Sequence, residues 1–212
     1  MDNSALLSAL VSGPKTGVEL AEQLGVSRAA VWKRIEHLRL QGLAIEALEH
    51  RGYALPHPTP LLDAGMILEA MPAAQRGLIA GLHIDFETES TQRKALLHNA
   101  PEQGVEVWLA ECQSAGQGRR GKPWQSPPLS NIYCSLNRRF ACSIAALSGF
   151  SLAVAVVLAE ALQTFSADRF SVKWPNEIWL DGRKCAGLLI QVRGEAGGPC
   201  DVTVGFGVNV LM

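Results

Sequence analysis

The chain lacks any C-x-x-C pair: its five cysteines, Cys112, Cys134, Cys142, Cys185 and Cys200, are an odd and scattered set. That excludes a disulfide framework and a zinc knuckle, and a reducing cytosol is the simplest setting. Neither sign of charge is in excess, with 19 Lys and Arg against 20 Asp and Glu and a net charge of −1. A surface that coats nucleic acid or anionic membrane throughout is therefore excluded. Charged residues make up only 18% and hydrophobic ones 48% of 212 residues, too apolar for disorder and enough for one substantial domain, or a small one joined to a medium one. There is no internal repeat and no low-complexity tract, and the amino end carries Asp2 without a basic stretch, so no targeting segment is expected. One apolar window, 144–165, is long enough to raise the question of a membrane span. It contains Ser148, Gly149, Ser151, Glu160 and Gln163, so a buried helix of a soluble, cytoplasmic protein is expected instead.

What is present begins with punctuation. Pro56, Pro58 and Pro60 alternate along a stiff, extended connector over 56–60, which divides a unit at 1–55 from one at 61–212. In the first, Ser4 can cap a helix running to about Ser12, and Thr16 and Glu19 form a capping box. Gly25 stops that helix and Ser27 caps the next, from Arg28 to about Gln41, with Val31, Ile35 and Leu38 as its apolar stripe. Two short strands follow, 43–48 and 53–55. Three helices and a hairpin make a winged helix-turn-helix whose third helix would enter a major groove. That helix carries Arg28, Lys33, Arg34 and Arg39 against Glu36, the local positive charge that phosphate contact requires. Thr16, Ser27, Arg28, Lys33, Arg34 and His37 are the DNA-binding candidates. The alternative is a solvated helix face in a protein-contact module.

The second unit reads as α+β with a mixed sheet: strands at 81–87, 106–112, 132–137, 171–174, 178–180, 185–192 and 202–206, and helices at 61–71, 92–99 and 145–165. Three stretches interrupt these patterns. The run 115–124 holds Gly116, Gly118 and Gly121 with Arg119, Arg120 and Lys122, a loop able to approach an anionic ligand closely, or a surface loop only. No Gly-Lys-Ser/Thr closes it, so it is not a Walker loop. In 172–190, Asp181-Gly182 marks a type I′ hairpin, and alternation places Lys184 in line with Ala186, Leu188 and Ile190, either snorkelling at an edge or aimed into a pocket. Gly205-Phe206-Gly207-Val208-Asn209 is a strand end whose glycines alone say little.

Together these blocks say more. Gln113 to Gly121, Lys173-Trp174-Pro175-Asn176 with Arg183 to Gly187, and Gly205 to Asn209 follow one order, with Glu89-Ser90-Thr91 ahead of them. The whole chain resembles the bacterial biotin–protein ligases that double as biotin operon repressors. The resemblance implies a catalytic domain like that of class II aminoacyl-tRNA synthetases, with ATP, Mg2+ and biotin as its small molecules. Biotin would be activated as biotinyl-5′-adenylate and passed to a lysine of a biotin carboxyl-carrier protein. The implied biotin contacts are Ser90, Thr91, Gln92, Gln113, Gly116, Gln117, Gly118, Arg119, Lys184, Gly187 and Gly205. ATP falls to Arg119, Asn176, Lys184 and Asn209, and catalysis to Lys184 and Arg119, with no protein-held metal. Operator DNA bound by a homodimer, and no membrane, complete the implied partners. A non-catalytic biotin-sensing regulator and a lipoate-type ligase are the competing readings.

The chain departs from the family pattern in three places. Glu177 stands where aspartate is usual, one methylene longer, which removes the expectation of a metal contact there. The adenine lid and SH3-like barrel that follow the Gly-x-Gly-x-Asn strand in the family are expected to be absent. Gln117 replaces the first arginine of Gly-Arg-Gly-Arg-Arg-Gly and takes one charge from the loop. Adenylate should therefore escape faster than with arginine; Gln117→Arg is expected to slow its release, and equal rates would refute the idea.

Overall fold

A computed structural model describes residues 3–195 and 197–211. Ser4 falls within helix α1 (Asn3–Val11) rather than ahead of it, where a cap residue was expected. Helix α2 (Gly17–Leu24) is bracketed by local bonds: Glu19 N donates to the Thr16 hydroxyl at 3.2 Å, Thr16 N donates to Glu19 Oε2 at 2.7 Å, and Gly25 leaves at φ 64°. The bond from the Thr16 backbone, with that from its hydroxyl, holds the Glu19 carboxyl below its usual range. Ser27 accepts from Ala30 N and opens α3 (Arg28–Leu40). Its Val31, Ile35 and Leu38 are fully buried against Leu6, Leu7, Leu10 and Leu20.

The wing is shorter than expected, β1 (Glu46–Leu48) paired antiparallel with β2 (Gly52–Ala54). Leu43 and Ile45 are drawn into the helical core, and the Arg39 guanidinium donates twice to the Ile45 carbonyl, at 2.7 and 2.9 Å. A strand partner for those residues is thereby replaced. Gly52, at φ 80°, lies so close to the backbone of Lys15 and Thr16 that a Cβ has no room.

The rest of the described chain runs α4 (Ala64–Ala70), α5 (Ala73–Arg76), β3 (Ile79–Thr88), α6 (Thr91–Leu96), β4 (Val105–Gln113), β5 (Asn131–Phe140), α7 (Phe150–Gln163), β6 (Phe170–Lys173), β7 (Glu177–Leu180), β8 (Arg183–Gly194) and β9 (Cys200–Asn209). Seven strands form one mixed sheet in the order β3-β4-β5-β9-β8-β7-β6, parallel at β3–β4 and antiparallel elsewhere. This is the expected α+β class, and no SH3-like barrel is seen among the described residues. Asp181 and Gly182 turn β7 into β8 with φ of 48° and 73°, the paired positive angles of a type I′ turn.

The apolar window departs from the single helix expected over 145–165. Gly149, at φ 81°, separates a 3-10 turn (Ile144–Leu147) from the 14 residues of α7. No helix among the described residues is long and apolar enough to cross a membrane. Val154, Ala155, Leu158 and Leu162 of α7 pack on Ile178, Ala186, Leu188 and Val208, which covers one face of the sheet.

The two units touch. Leu129 is buried in the core of the winged helix, with Leu61 and Phe86 packed against it, and Pro127 lies under Gly42. Past the prolines, Leu62 N donates to the buried Glu111 carboxylate at 2.5 Å. Burial pushes that carboxyl up, opposed by the Leu62 bond.

Candidate functional site

Alternation along β9 turns Val204, Phe206 and Val208 toward α7 and Gly205 and Gly207 toward the opposite face. There a cleft of about 500 Å³ opens. The Trp124 indole forms its apolar wall, seated on glycine backbone: a Cβ on Gly207 would fall 2.5 Å from the ring, and one on Gly187 3.0 Å. Gly205 is pressed in the same way by the Gln92 side chain.

One end of the cleft is neutral and polar. Thr91 N donates to Gln113 Oε1 at 2.9 Å, and Gln113 Nε2 donates to Ser126 Oγ at 3.0 Å. The Thr91 and Ser135 hydroxyls are 2.9 Å apart, Ser135 Oγ donates to Gln92 Oε1 at 3.2 Å, and Gln92 Nε2 donates to Gln191 Oε1 at 3.0 Å. Ser90 caps α6 by accepting from Arg93 N, which fixes where Thr91 and Gln92 point. Amides and hydroxyls in one network supply both donors and acceptors. Cys134 also lines the cleft, but burial pushes its thiol up to about 12, so it is no nucleophile at neutral pH.

The other end is charged, and a bulge sets it. Trp179 pairs with Lys184 and Ile178 with Ala186, leaving Cys185 unmatched. The strict alternation expected for β8 therefore fails: Ala186 and Leu188 pack under α7, while Lys184 joins Gly187 and Leu189 along the cleft. Lys184 Nζ donates to Glu177 Oε1 at 2.8 Å and lies 5.2 Å from the Trp124 ring centroid. Trp179 Nε1 donates to the other Glu177 oxygen at 2.9 Å. These bonds, that from Lys184 first, hold the Glu177 carboxyl below its usual range. Across the cleft Arg119 reaches the Asn176 side-chain oxygen at 3.4 Å. The glycine-arginine loop is a folded hairpin, with Gln117 bridged to Pro123 and Gly118 N donating to Lys122 O at 2.8 Å.

Of the expected ligand contacts, Ser90, Thr91, Gln92, Gln113, Gln117, Gly118, Arg119, Asn176, Lys184, Gly187 and Gly205 all line this cleft. Gly116 and Asn209 do not. A Cβ on Gly116 would meet Ser126 Oγ and Trp124 O at 2.8 Å, so it packs the base of the loop. Asn209 Nδ2 donates to the Lys184 carbonyl at 3.4 Å and secures that strand end from outside. Trp124, Ser135 and Gly207 were not among the sequence candidates; the available signal was Gly-x-Gly on a strand, which leaves a flat strip for an aromatic ring. Among the described residues, no three His, Cys, Asp or Glu side chains gather to hold a metal. Glu177, which lines the cleft, has both oxygens engaged, so the residues do not fit a protein-held Mg2+.

In the first unit, Arg28, Lys33 and His37 are exposed and Arg34 is half-buried. Arg39 is bound to Glu36 at 2.7 Å and to the wing, so its charge is committed to structure. Thr16, Arg28, Trp32 and His50 line a shallow groove between α2, α3 and the wing. The Thr16 and Ser27 hydroxyls are engaged in their caps.

The seat of Trp124 is testable. Gly207→Ala is expected to cost about 1–3 kcal/mol by overpacking, a fall in Tm of roughly 2–4 °C per kcal/mol. Trp124→Ala in the same chain should recover most of it. An unchanged Tm in the single variant would show that the indole does not rest on the strand.

Two family models match the chain: an HTH domain at residues 4–54, and the biotin/lipoate A/B protein ligase family at residues 85–209. A bifunctional ligase/repressor BirA of Salmonella typhimurium is 38% identical over 98% of this chain and 63% of its own length. One of Bacillus subtilis is 30% identical over 92% of this chain and 60% of its own. A solved biotin protein ligase from Aquifex aeolicus is 26% identical, with a TM-score of 0.48, over 63% of this chain and 53% of that one. The chain thus spans less than two thirds of the length of these relatives. With its cleft residues at 90–207 inside the matched region, the chain belongs to the biotin/lipoate A/B protein ligase family, and carries a helix-turn-helix domain ahead of the ligase-like part.

Proposed function

We propose that the cleft activates biotin with ATP as biotinyl-AMP, releasing pyrophosphate, and that the biotinyl group is then passed to a lysine of a biotin carboxyl-carrier protein, releasing AMP. The observation that carries this is that a neutral amide-hydroxyl network, Lys184 and the Arg119–Asn176 contact line one cleft. The neutral end, Thr91, Gln92, Gln113 and Ser135, matches a ureido ring, which both donates and accepts. Trp124 covers the apolar body of the ligand. The biotin carboxylate then lies toward Lys184, where a carboxylate oxygen attacks the α-phosphorus of ATP and pyrophosphate leaves. Lys184 offsets the negative charge that gathers on the phosphoryl oxygens, and Arg119 with Asn176 binds the nucleotide side. In the second step the carrier amine attacks the acyl carbon, AMP leaves, and the amine's proton is lost to solvent. Mg2+ enters with ATP as part of the substrate.

The relatives named as bifunctional ligase/repressor support a second role for the same molecule. The winged helix reads operator DNA through Arg28, Lys33 and their neighbours. A homodimer sits on an inverted repeat, with the adenylate as corepressor.

Mixing the chain with biotin and Mg-ATP should give biotinyl-AMP by mass spectrometry, with Lys184→Ala lowering its rate of formation by about 10²-fold or more. Biotin binding without adenylate would make the protein a non-catalytic sensor, and preference for lipoate would make it a lipoate-type ligase. For DNA, the Arg28→Ala, Lys33→Ala double variant should weaken operator binding and flatten the dependence of log K on log salt by about two charges. Operator binding that ignores both the variant and the salt would remove the repressor role.

A further inference from the structure

The two ends of the β5–β9 ladder carry different chemistry. One end is the cleft; at the other, Phe140, the last residue of β5, pairs with Cys200, the first of β9. The chain bends directly after Phe140 and brings Cys142 back over that pair, so that Cys200 Sγ donates to the Cys142 carbonyl at 3.3 Å. Cys200 is 1% exposed, whereas Cys142 is open to solvent in part. Burial, then the neighbouring Cys142 sulfur, pushes the Cys200 thiol up, while Arg139 opposes this. Arg139 is held there by Asp201 at 3.2 Å and Glu102 at 3.4 Å.

We propose that Cys142 and Cys200 are a redox pair that closes to an intramolecular disulfide when the chain meets a peroxide. Antiparallel neighbours lie within the Cα spacing that a disulfide spans, and Cys142 stands only two residues beyond such a neighbour. The other thiols are placed differently. Cys112 and Cys134 are buried with thiols pushed up to about 12, and Cys185 Sγ points to the Asn209 carbonyl at 3.9 Å. Within the pair, Cys142 is the more accessible sulfur and reacts first. The Cys142 thiolate attacks one peroxide oxygen, the O–O bond breaks, and the hydroxide released takes a proton to become water. Cys200 then attacks the sulfenic sulfur of Cys142. An S–S bond forms, the S–O bond breaks, and the departing hydroxide collects the Cys200 proton as a second water. Two thiols lose two electrons and one peroxide is reduced to two waters.

The link would fix the approach to α7, whose Ser151 hydroxyl donates to the Pro175 carbonyl at the cleft rim at 3.2 Å. The cleft itself is not reached, since Gly205 lies five residues along β9 from Cys200, about 17 Å of strand. The proposal needs no assumption about the ligand of the cleft.

The folded, fully reduced chain is treated with hydrogen peroxide, alkylated in denaturant and digested. Two of its five thiols should be protected, and mass spectrometry should show a peptide joining Cys142 to Cys200, two hydrogens lighter than the reduced pair and split by dithiothreitol. Cys142→Ser, a change at a partly exposed position, should abolish the peptide and leave Cys200 alkylated. Cys200→Ala should instead leave Cys142 as sulfenic or sulfinic acid. The proposal fails if the unaltered chain accumulates Cys142 sulfinic acid with Cys200 still a thiol. It fails equally if the links formed join other cysteines or separate chains.

Discussion

Gln92 and Trp124 lie directly on the backbone of β9, because Gly205 and Gly207 present no Cβ on that face, and the other cleft residues are placed relative to these two. A sheet face without side chains is normally a weakness, since glycine in a strand gives up packing. Here the missing volume is refilled from outside, by an indole on a loop and by an amide at the start of a helix. The loop is held by its own hairpin bonds and by Ser126, and the helix by the Ser90 cap. Both supports meet at Gln113, the last residue of β4. The cleft is thus assembled from elements that are distant in sequence and share one strip of bare backbone.

Sequence revealed the parts of the fold that depend on neighbours in the chain. The capping box of Thr16 and Glu19, the left-handed Gly25, the Ser27 cap and the Asp181-Gly182 turn are each decided within four residues, and each formed as read. Where a long-range contact competes, local reading fails. Gly149 looked tolerable inside an apolar helix, but its positive φ ends one turn and starts another. Lys184 was expected beside Ala186, because period-two alternation has no means of showing a bulge. Ser135 was invisible as a site residue because only its pairing with Gly205 brings it under the cleft. The motif blocks meet at one cleft, and the register between strands decides which of their residues face it.

The charged end of the cleft shows the same interplay. Glu177 and Lys184 sit on adjacent strands, Trp179 secures the free carboxylate oxygen, and Asn209 grips the strand carrying the lysine from outside. A lysine has a long and mobile stem, and holding it on a carboxylate beside an aromatic face lowers the entropy it would lose on meeting an anion. The longer arm of glutamate at 177 suits this contact, in which both oxygens are already taken within the protein.

Leu129 contributes to the core of the winged helix although it comes from the second unit, in the loop between the cleft residue Trp124 and the start of β5. The winged-helix unit is therefore not a portable cassette. Excised, it would lose the side chain that closes its core, and the remaining part would show Leu129 and Phe86 to water. Grafting it onto another protein would require either a new plug in that position or polar replacements on both cut faces.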